Sequence, residues 1–167
     1  MQAKVRNEYR PIEAQLFGEY MGLRANTKSF ELRVRLGDMN EAIKAQFGSA
    51  TARQVYKPML QWVDGIAWNT DGSVSLIECK VFAKTLQPVI QLQSYGMLYR
   101  KTPRFAAETR EPLKELIAGL FSPIVSSAAA GMGIRCVCYR PKWLLPVLLS
   151  RYAVDAYGPQ PVPIEVR

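Results

Sequence analysis

Residues 60–80 have the sequence Leu-Gln-Trp-Val-Asp-Gly-Ile-Ala-Trp-Asn-Thr-Asp-Gly-Ser-Val-Ser-Leu-Ile-Glu-Cys-Lys. Two segments rich in β-branched and aromatic residues, 60–68 and 74–80, flank residues 69–73, whose Asn, Asp, Gly and Ser are typical of a tight turn. This arrangement predicts an antiparallel hairpin, and the hairpin decides how the rest of the chain is interpreted.

The predicted hairpin brings two carboxylates together. If Trp68 pairs with Val74, the register places Asp64 opposite Glu78. Side chains alternate along a strand, so Lys80 lies on the face of Glu78. Opposed carboxylates repel each other unless a cation or a proton lies between them, which favours a divalent cation site with a lysine beside it. An exposed cluster of ordinary ion pairs is the alternative that the same pattern allows.

The composition predicts a folded, basic protein. The chain has 167 residues, of which 49% are apolar and 22% are charged. We expect one domain over residues 1–156 and an extended, proline-rich tail over residues 157–167. The net charge of +8 favours a nucleic-acid partner, with a basic protein that binds no nucleic acid as the alternative on charge alone. The chain has no histidine, which excludes Ser-His-Asp and Cys-His nucleophilic systems and histidine-ligated zinc.

The cysteines and the hydropathy pattern restrict the setting. Cys79, Cys136 and Cys138 include no CxxC pair, so a four-cysteine zinc or iron–sulfur site is not expected. No uninterrupted run of about 18–20 apolar residues and no apolar signal-peptide core occurs. We therefore expect no membrane association, and a location in the cytoplasm or, for a phage-encoded protein, inside the host cell or in the virion.

The pattern along the chain predicts an α/β fold with a central mixed β-sheet flanked by helices. Further strands are expected at residues 30–36 and 134–139. Helices are expected at residues 11–21, 38–47, 88–99, 113–120, 123–131 and 143–153.

Three motifs follow one another in a recognisable order. Asp64 on one strand is followed by Glu78-x-Lys80 at the end of the next strand, and then by Gln91 and Tyr95, four residues apart on one face of the next helix. This order resembles the signature of the PD-(D/E)XK nuclease superfamily, in its RecB-like branch with a QxxxY motif. The resemblance covers about residues 56–100.

The resemblance implies a restriction-endonuclease-like core and a metal-dependent DNA nuclease. By this resemblance Asp64, Glu78 and the backbone carbonyl of Cys79 hold Mg²⁺ or Mn²⁺, and phosphodiester bonds are hydrolysed by a Mg²⁺-bound water. Lys80 assists that water. The Gln and Tyr of the third motif steady the site or contact the DNA backbone.

The chain also departs from the family pattern. Val63 stands where many members have proline, and the upstream histidine of many RecB-like members is missing. An acidic residue on an early helix can complete such a site, and Glu13, Glu19 and Glu41 are equal candidates. A non-catalytic DNA-binding or assembly module on the same fold, for example in a phage particle, and an RNA-directed nuclease are the alternatives. Protein partners and a homo-oligomer stay open.

Two pairs of residues near the motifs receive structural interpretations. Trp62 and Trp68 are expected on the Asp64 face of the hairpin, packed under a flanking helix, with stacking on a nucleic-acid base as the alternative for either. Arg33 and Arg35 alternate with apolar residues, so we expect them on the solvated face of a strand rather than at a phosphate.

Overall fold

The computed structural model describes residues 5–37, 45, 48 and 61–161, with residues 5–10 described by their backbone alone. The strands are β1 Thr27–Leu36, β2 Gln61–Asn69, β3 Val74–Ala83, β4 Leu113–Phe121 and β5 Ile134–Cys138. The helices are α1 Val5–Leu23, α2 Gln87–Lys101, α3 Pro123–Gly131 and α4 Leu144–Arg151, with short 3-10 turns at Pro103–Phe105 and Val154–Tyr157.

The strands form one sheet in the order β1-β2-β3-β4-β5. The pairs β1–β2 and β2–β3 are antiparallel, whereas β3–β4 and β4–β5 are parallel. Parallel neighbours need a crossover, and α2 and α3 provide the two crossovers. The expected α/β class with a mixed central sheet is confirmed.

The hairpin has the predicted register. Gly65 pairs with Ile77 and Trp68 pairs with Val74, and the pairs between them follow without a shift. The turn is closed by a 2.8 Å hydrogen bond from the Asn69 amide to the Ser73 carbonyl. Gly72 has φ +80°, a left-handed conformation that glycine adopts at little cost.

The sheet is covered on both faces. Ile66 and Leu76 face one core, which they share with the buried side of α2 and α3. Ile77 and Cys79 face a second core, which contains the buried residues of α1 and α4. The side chains of β3 therefore alternate between two cores, and this alternation places Glu78 on the α2 side.

The segment predicted as a helix at residues 113–120 is strand β4, so that prediction is wrong. Its apolar residues match a helical period, with Glu115 in the place of a solvent-facing residue. A central parallel strand is buried on both faces and is apolar almost throughout, which period alone does not distinguish from a helix. Glu115 is in fact buried, with 2% of its surface exposed.

Smaller differences concern the ends of the chain. Helix α1 begins at Val5, so Pro11 lies inside the helix rather than at its start. The helix predicted at residues 38–47 lies outside the described residues except for residue 45. Beyond residue 156, the Gln160 side chain accepts a 2.7 Å hydrogen bond from the Phe121 amide and donates one of 3.1 Å to the Phe121 carbonyl. The predicted domain boundary at residue 156 stays a prediction.

No helix within the described ranges is long and apolar enough to cross a membrane.

We expect Gly119→Ala to lower the free energy of unfolding by about 1–3 kcal/mol. A Cβ at this position in β4 would clash with Leu144 Cδ2 and lie 3.1 Å from the Val81 carbonyl oxygen, so the fully buried Leu144 side chain would have to move. Gly18→Ala is the control, because a Cβ there meets nothing within 4 Å, and alanine inside α1 should raise stability by about 0.5–1 kcal/mol. Urea denaturation compares the two, and equal stability of Gly119→Ala and wild type would contradict the packing.

Candidate active site

The antiparallel pairing of β2 and β3 ends next to the candidate site. Beyond the pair of Gly65 and Ile77, the Asp64 carboxylate accepts a 2.9 Å hydrogen bond from the Cys79 amide. Asp64 and Glu78 both line a cavity of about 410 Å³ between α1, β1 and α2. The two carboxylates that the register predicted to be neighbours therefore share one cavity.

Lys80 connects the acidic groups of the site. Its ammonium donates to Glu78 Oε1 at 2.5 Å and to the Cys79 carbonyl oxygen at 3.2 Å. The same nitrogen lies 3.9 Å from Asp64 Oδ2. The predicted grouping of Asp64, Glu78 and Lys80 at one end of the hairpin is thus present as a contiguous cluster.

Glu78 is the most buried member of this cluster, with 2% of its surface exposed. Burial, followed by the negative charge of Asp64, raises the pKa of Glu78 to about 7, although Lys80 and Tyr95 act against the shift. A carboxylate that is both buried and repelled by a neighbour is stabilised by any cation that binds between the two groups.

Lys80 stays protonated in this surrounding. Burial acts to lower the pKa of Lys80, but the negative charges of Glu78, Asp64 and Glu13 outweigh burial and raise the pKa above its usual value. Lys80 is therefore a cation over the whole neutral range, and it is not poised to accept a proton.

Helix α2 brings the Gln and Tyr of the third motif to the cavity. The Tyr95 hydroxyl lies 3.2 Å from Glu78 Oε2 and 2.9 Å from the Trp62 carbonyl oxygen, so it can donate to either. Gln91 also lines the cavity, and its buried Oε1 has no hydrogen-bond partner. Tyr95 is only 2% exposed, so its contacts are with groups inside the protein.

The early glutamates differ clearly in position. Glu13 lies on α1 and lines the cavity. Glu19 instead accepts hydrogen bonds from Trp143 Nε1 at 3.0 and 2.8 Å and one from Gln15 at 3.1 Å. Glu41 lies outside the described residues. Of the two candidates that the structure describes, Glu13 is the one beside Asp64 and Glu78.

Arg33 lies in strand β1 and is exposed, as expected, but its backbone geometry is irregular. It has φ +50°, which is strained for a residue with a side chain. Leu32 pairs with Gly65 and Val34 with Val63, while Val34 and Val63 face the α2 core. Arg33 lies at this irregularity, directly across from Asp64, and its exposed side chain lines the cavity.

The two tryptophans of β2 do not share a surrounding, so their expected common packing is wrong. Trp68 packs against the α2 core, with its ring 6.4 Å from that of Phe105. Trp62 is 56% exposed and lines the cavity. With strict alternation from Ile66, residues 64 and 62 would both face the α2 core. Val63 faces that core instead, so Trp62 points away from it.

The donor set fits a hard divalent cation. Asp64 and Glu78 supply two carboxylates and Cys79 a carbonyl oxygen, and Mg²⁺ in proteins usually binds one or two carboxylates together with water and substrate phosphate. The unpartnered Gln91 Oε1 is a further oxygen at the same cavity. No group of three or more His, Cys, Asp or Glu side chains that could hold a metal occurs in the part of the chain that the structure describes.

The cysteine thiols are not nucleophiles here. Cys79, Cys136 and Cys138 are all free thiols. Burial is the largest cause that raises the pKa of each of them above its usual value. The thiols therefore stay protonated, and the chemistry of the cavity is left to the carboxylates and Lys80.

Comparisons with known proteins give one structural similarity to set beside this site. The chain is similar to the crystal structure of a repair endonuclease from Pyrococcus abyssi, with 15% sequence identity and a TM-score of 0.49. The similarity covers 78% of this chain and 47% of that chain, so this chain spans about half the length of the endonuclease. No family model and no curated protein matches the chain.

Proposed function

We propose that this protein is a metal-dependent DNA nuclease of the PD-(D/E)XK type. The observation that carries the proposal is the convergence of Asp64, Glu78 and Lys80 in one cavity, with the buried Glu78 carboxylate held between Lys80 and Tyr95. The alternative, a cluster of exposed surface ion pairs, does not account for the burial of Glu78, which is 2% exposed and lies near the second carboxylate, Asp64. The net charge of +8 supports a polyanionic substrate.

The metal in this proposal is Mg²⁺ or Mn²⁺. Asp64, Glu78 and the carbonyl oxygen of Cys79 would hold it, and Glu13, which lines the same cavity, would contribute through a water. When bound, such an ion polarises the phosphodiester and makes the attacking water more acidic.

The protein's own groups have distinct parts in the reaction. Lys80, as a permanent cation, stabilises the negative charge that develops on the phosphate. Tyr95 holds the carboxylate of Glu78 in place by its hydrogen bond. Gln91 offers its free Oε1 to a water or a ligand inside the cavity.

A cleavage assay tests the proposal. Purified protein is incubated with linear duplex DNA, circular duplex DNA, single-stranded DNA and RNA in Mg²⁺, in Mn²⁺ and in EDTA, and we expect DNA cleavage that EDTA abolishes. Asp64→Asn should abolish cleavage and weaken Mn²⁺ binding in calorimetry by more than about tenfold, since loss of an outer-shell partner alone costs about 10–100-fold. Asp155→Asn is the control, because Asp155 is an exposed carboxylate outside the cavity.

The outcomes distinguish a DNA nuclease from an RNA nuclease and from a non-catalytic module. Cleavage of RNA without cleavage of DNA would show that the substrate is RNA, with the same metal-dependent hydrolysis of phosphodiester bonds. A folded protein that cleaves neither nucleic acid and binds no Mn²⁺ would overturn the nuclease and leave a binding or assembly module on the same fold.

A further inference from the structure

We propose that Arg33 and Trp62 form a nucleotide-binding subsite at the mouth of the cavity, and that this subsite selects single-stranded DNA. The inference rests on the proposed function and names the substrate class of the same site. It assigns Trp62 to stacking on an unpaired base and Arg33 to the adjoining phosphate.

Arg33 has the position and the freedom to bind a phosphate. Its side chain is exposed, lines the cavity and makes none of the ion pairs found among the described residues. Its backbone is strained at φ +50°, and strain of this kind is typical of functional sites, where the surrounding structure holds it. An arginine fork next to Asp64 can pair with the phosphate that is adjacent to the scissile one.

Trp62 has an exposed side chain on a backbone that a hydrogen bond holds in place. The residue is 56% exposed, although an indole of this size normally packs away from water. Its carbonyl oxygen lies 2.9 Å from the Tyr95 hydroxyl, which is also 3.2 Å from Glu78. The backbone of Trp62 is thereby held at a defined place relative to the carboxylate of the site.

The two residues belong to neighbouring strands and open onto the same cavity. Arg35 pairs with Trp62 and Val34 pairs with Val63, so Arg33 and Trp62 lie close together on β1 and β2. A base can stack on an indole face only when it is not stacked between neighbours in a duplex. The cavity of about 410 Å³ is at the lower end of the usual range for ligand pockets, which suits a single nucleotide.

Binding measured in EDTA tests the subsite independently of cleavage. Fluorescence anisotropy gives the affinities of wild type and variants for a short single-stranded oligothymidylate and for a blunt duplex. Trp62→Ala should weaken single-strand binding by about 5–150-fold, and Trp62→Phe by less. Arg33→Asn, which tolerates positive φ, should lower the slope of log affinity against log salt by about 0.7, the share of one phosphate contact.

Two controls share the strand but not the cavity. Phe30→Ala removes a 43% exposed aromatic side chain, and Lys28→Asn removes an exposed lysine, both on β1. Both should bind the single strand within about twofold of wild type apart from the general effect of one charge. Thermal melts confirm that every variant is folded.

The results separate this inference from the proposed function. Wild type that binds duplex as tightly as single strand, or Trp62→Ala that binds the single strand like wild type, overturns the subsite whether or not the protein cleaves DNA. Selective single-strand binding that Trp62→Ala removes supports the subsite, even if cleavage in Mg²⁺ is absent and the nuclease itself is overturned.

Discussion

Lys80→Ala is expected to slow metal-dependent DNA cleavage by about 10²–10³-fold, the usual range for loss of one group that stabilises developing charge. The ammonium lies 2.5 Å from Glu78 and 3.9 Å from Asp64, so it stands where a phosphate held by the two carboxylates and a metal would react. Its stabilisation is greatest in the transition state, where negative charge develops, so kcat should fall much more than KM rises.

Lys80→Arg distinguishes between two roles of the same side chain. If Lys80 acts as a cation, arginine restores part of the rate, whereas a role as a proton acceptor would not survive this exchange. Lys84→Ala is the matched control, because Lys84 is exposed and lies just beyond the end of β3. Single-turnover kinetics measure the three variants, and wild-type turnover of Lys80→Ala would remove Lys80 from the reaction.

Arg24→Met is expected to lower the free energy of unfolding by about 3–5 kcal/mol. Arg24 is 8% exposed, and its guanidinium donates to Asn69 Oδ1 at 2.6 Å and to Ser75 Oγ at 3.1 Å. Its Nε lies 3.3 Å from Glu115 Oε1, which the Tyr20 hydroxyl also approaches at 3.3 Å. Without Arg24, Glu115 on β4 would lose its buried counterion and keep only the exposed Arg135, whose Nη1 lies 3.5 Å from Glu115 Oε2.

A double variant shows whether the cost comes from the unpaired charge. Arg24→Met with Glu115→Leu should lose less stability than Arg24→Met alone, because apolar replacement of a buried pair removes both desolvation costs. Arg100→Ala breaks an ion pair to Glu111 that is about half exposed, and it should cost at most about 1 kcal/mol. Guanidinium denaturation gives all three values, and a single variant as stable as the double would contradict the assignment.

The hairpin was predictable because its signal is local. The turn residues between the two strands determine the register of the ladder, which leads up to Asp64 on one strand and Glu78 on the other. The spacing of Gln91 and Tyr95 likewise places both at the cavity, since residues four apart share a helix face. These features depend on short-range geometry that a sequence states directly.

The features that sequence did not predict depend on contacts between distant segments. The buried position of Glu115 in a strand depends on its ion pair with Arg24, which is far away in sequence. An acidic residue inside an apolar run is the sequence signal that could have indicated this buried pair. The choice of Glu13 over Glu19 depends on Trp143, which binds Glu19 from the far end of the chain. The strained backbone of Arg33 has no sequence signal, because its neighbours alternate like those of a regular strand.

Strand β1 is one of the two edges of the sheet in the described part of the chain, and a ten-residue edge strand is a surface on which another chain can add a strand. Its exposed cations Lys28, Arg33 and Arg35 repel a second copy, and the irregularity at Arg33 interrupts the straight run of backbone groups that strand addition needs. The basic, irregular strand β1 that borders the cavity therefore also protects the protein against edge-to-edge aggregation. Substitutions in β1 that alter substrate preference should alter solubility as well.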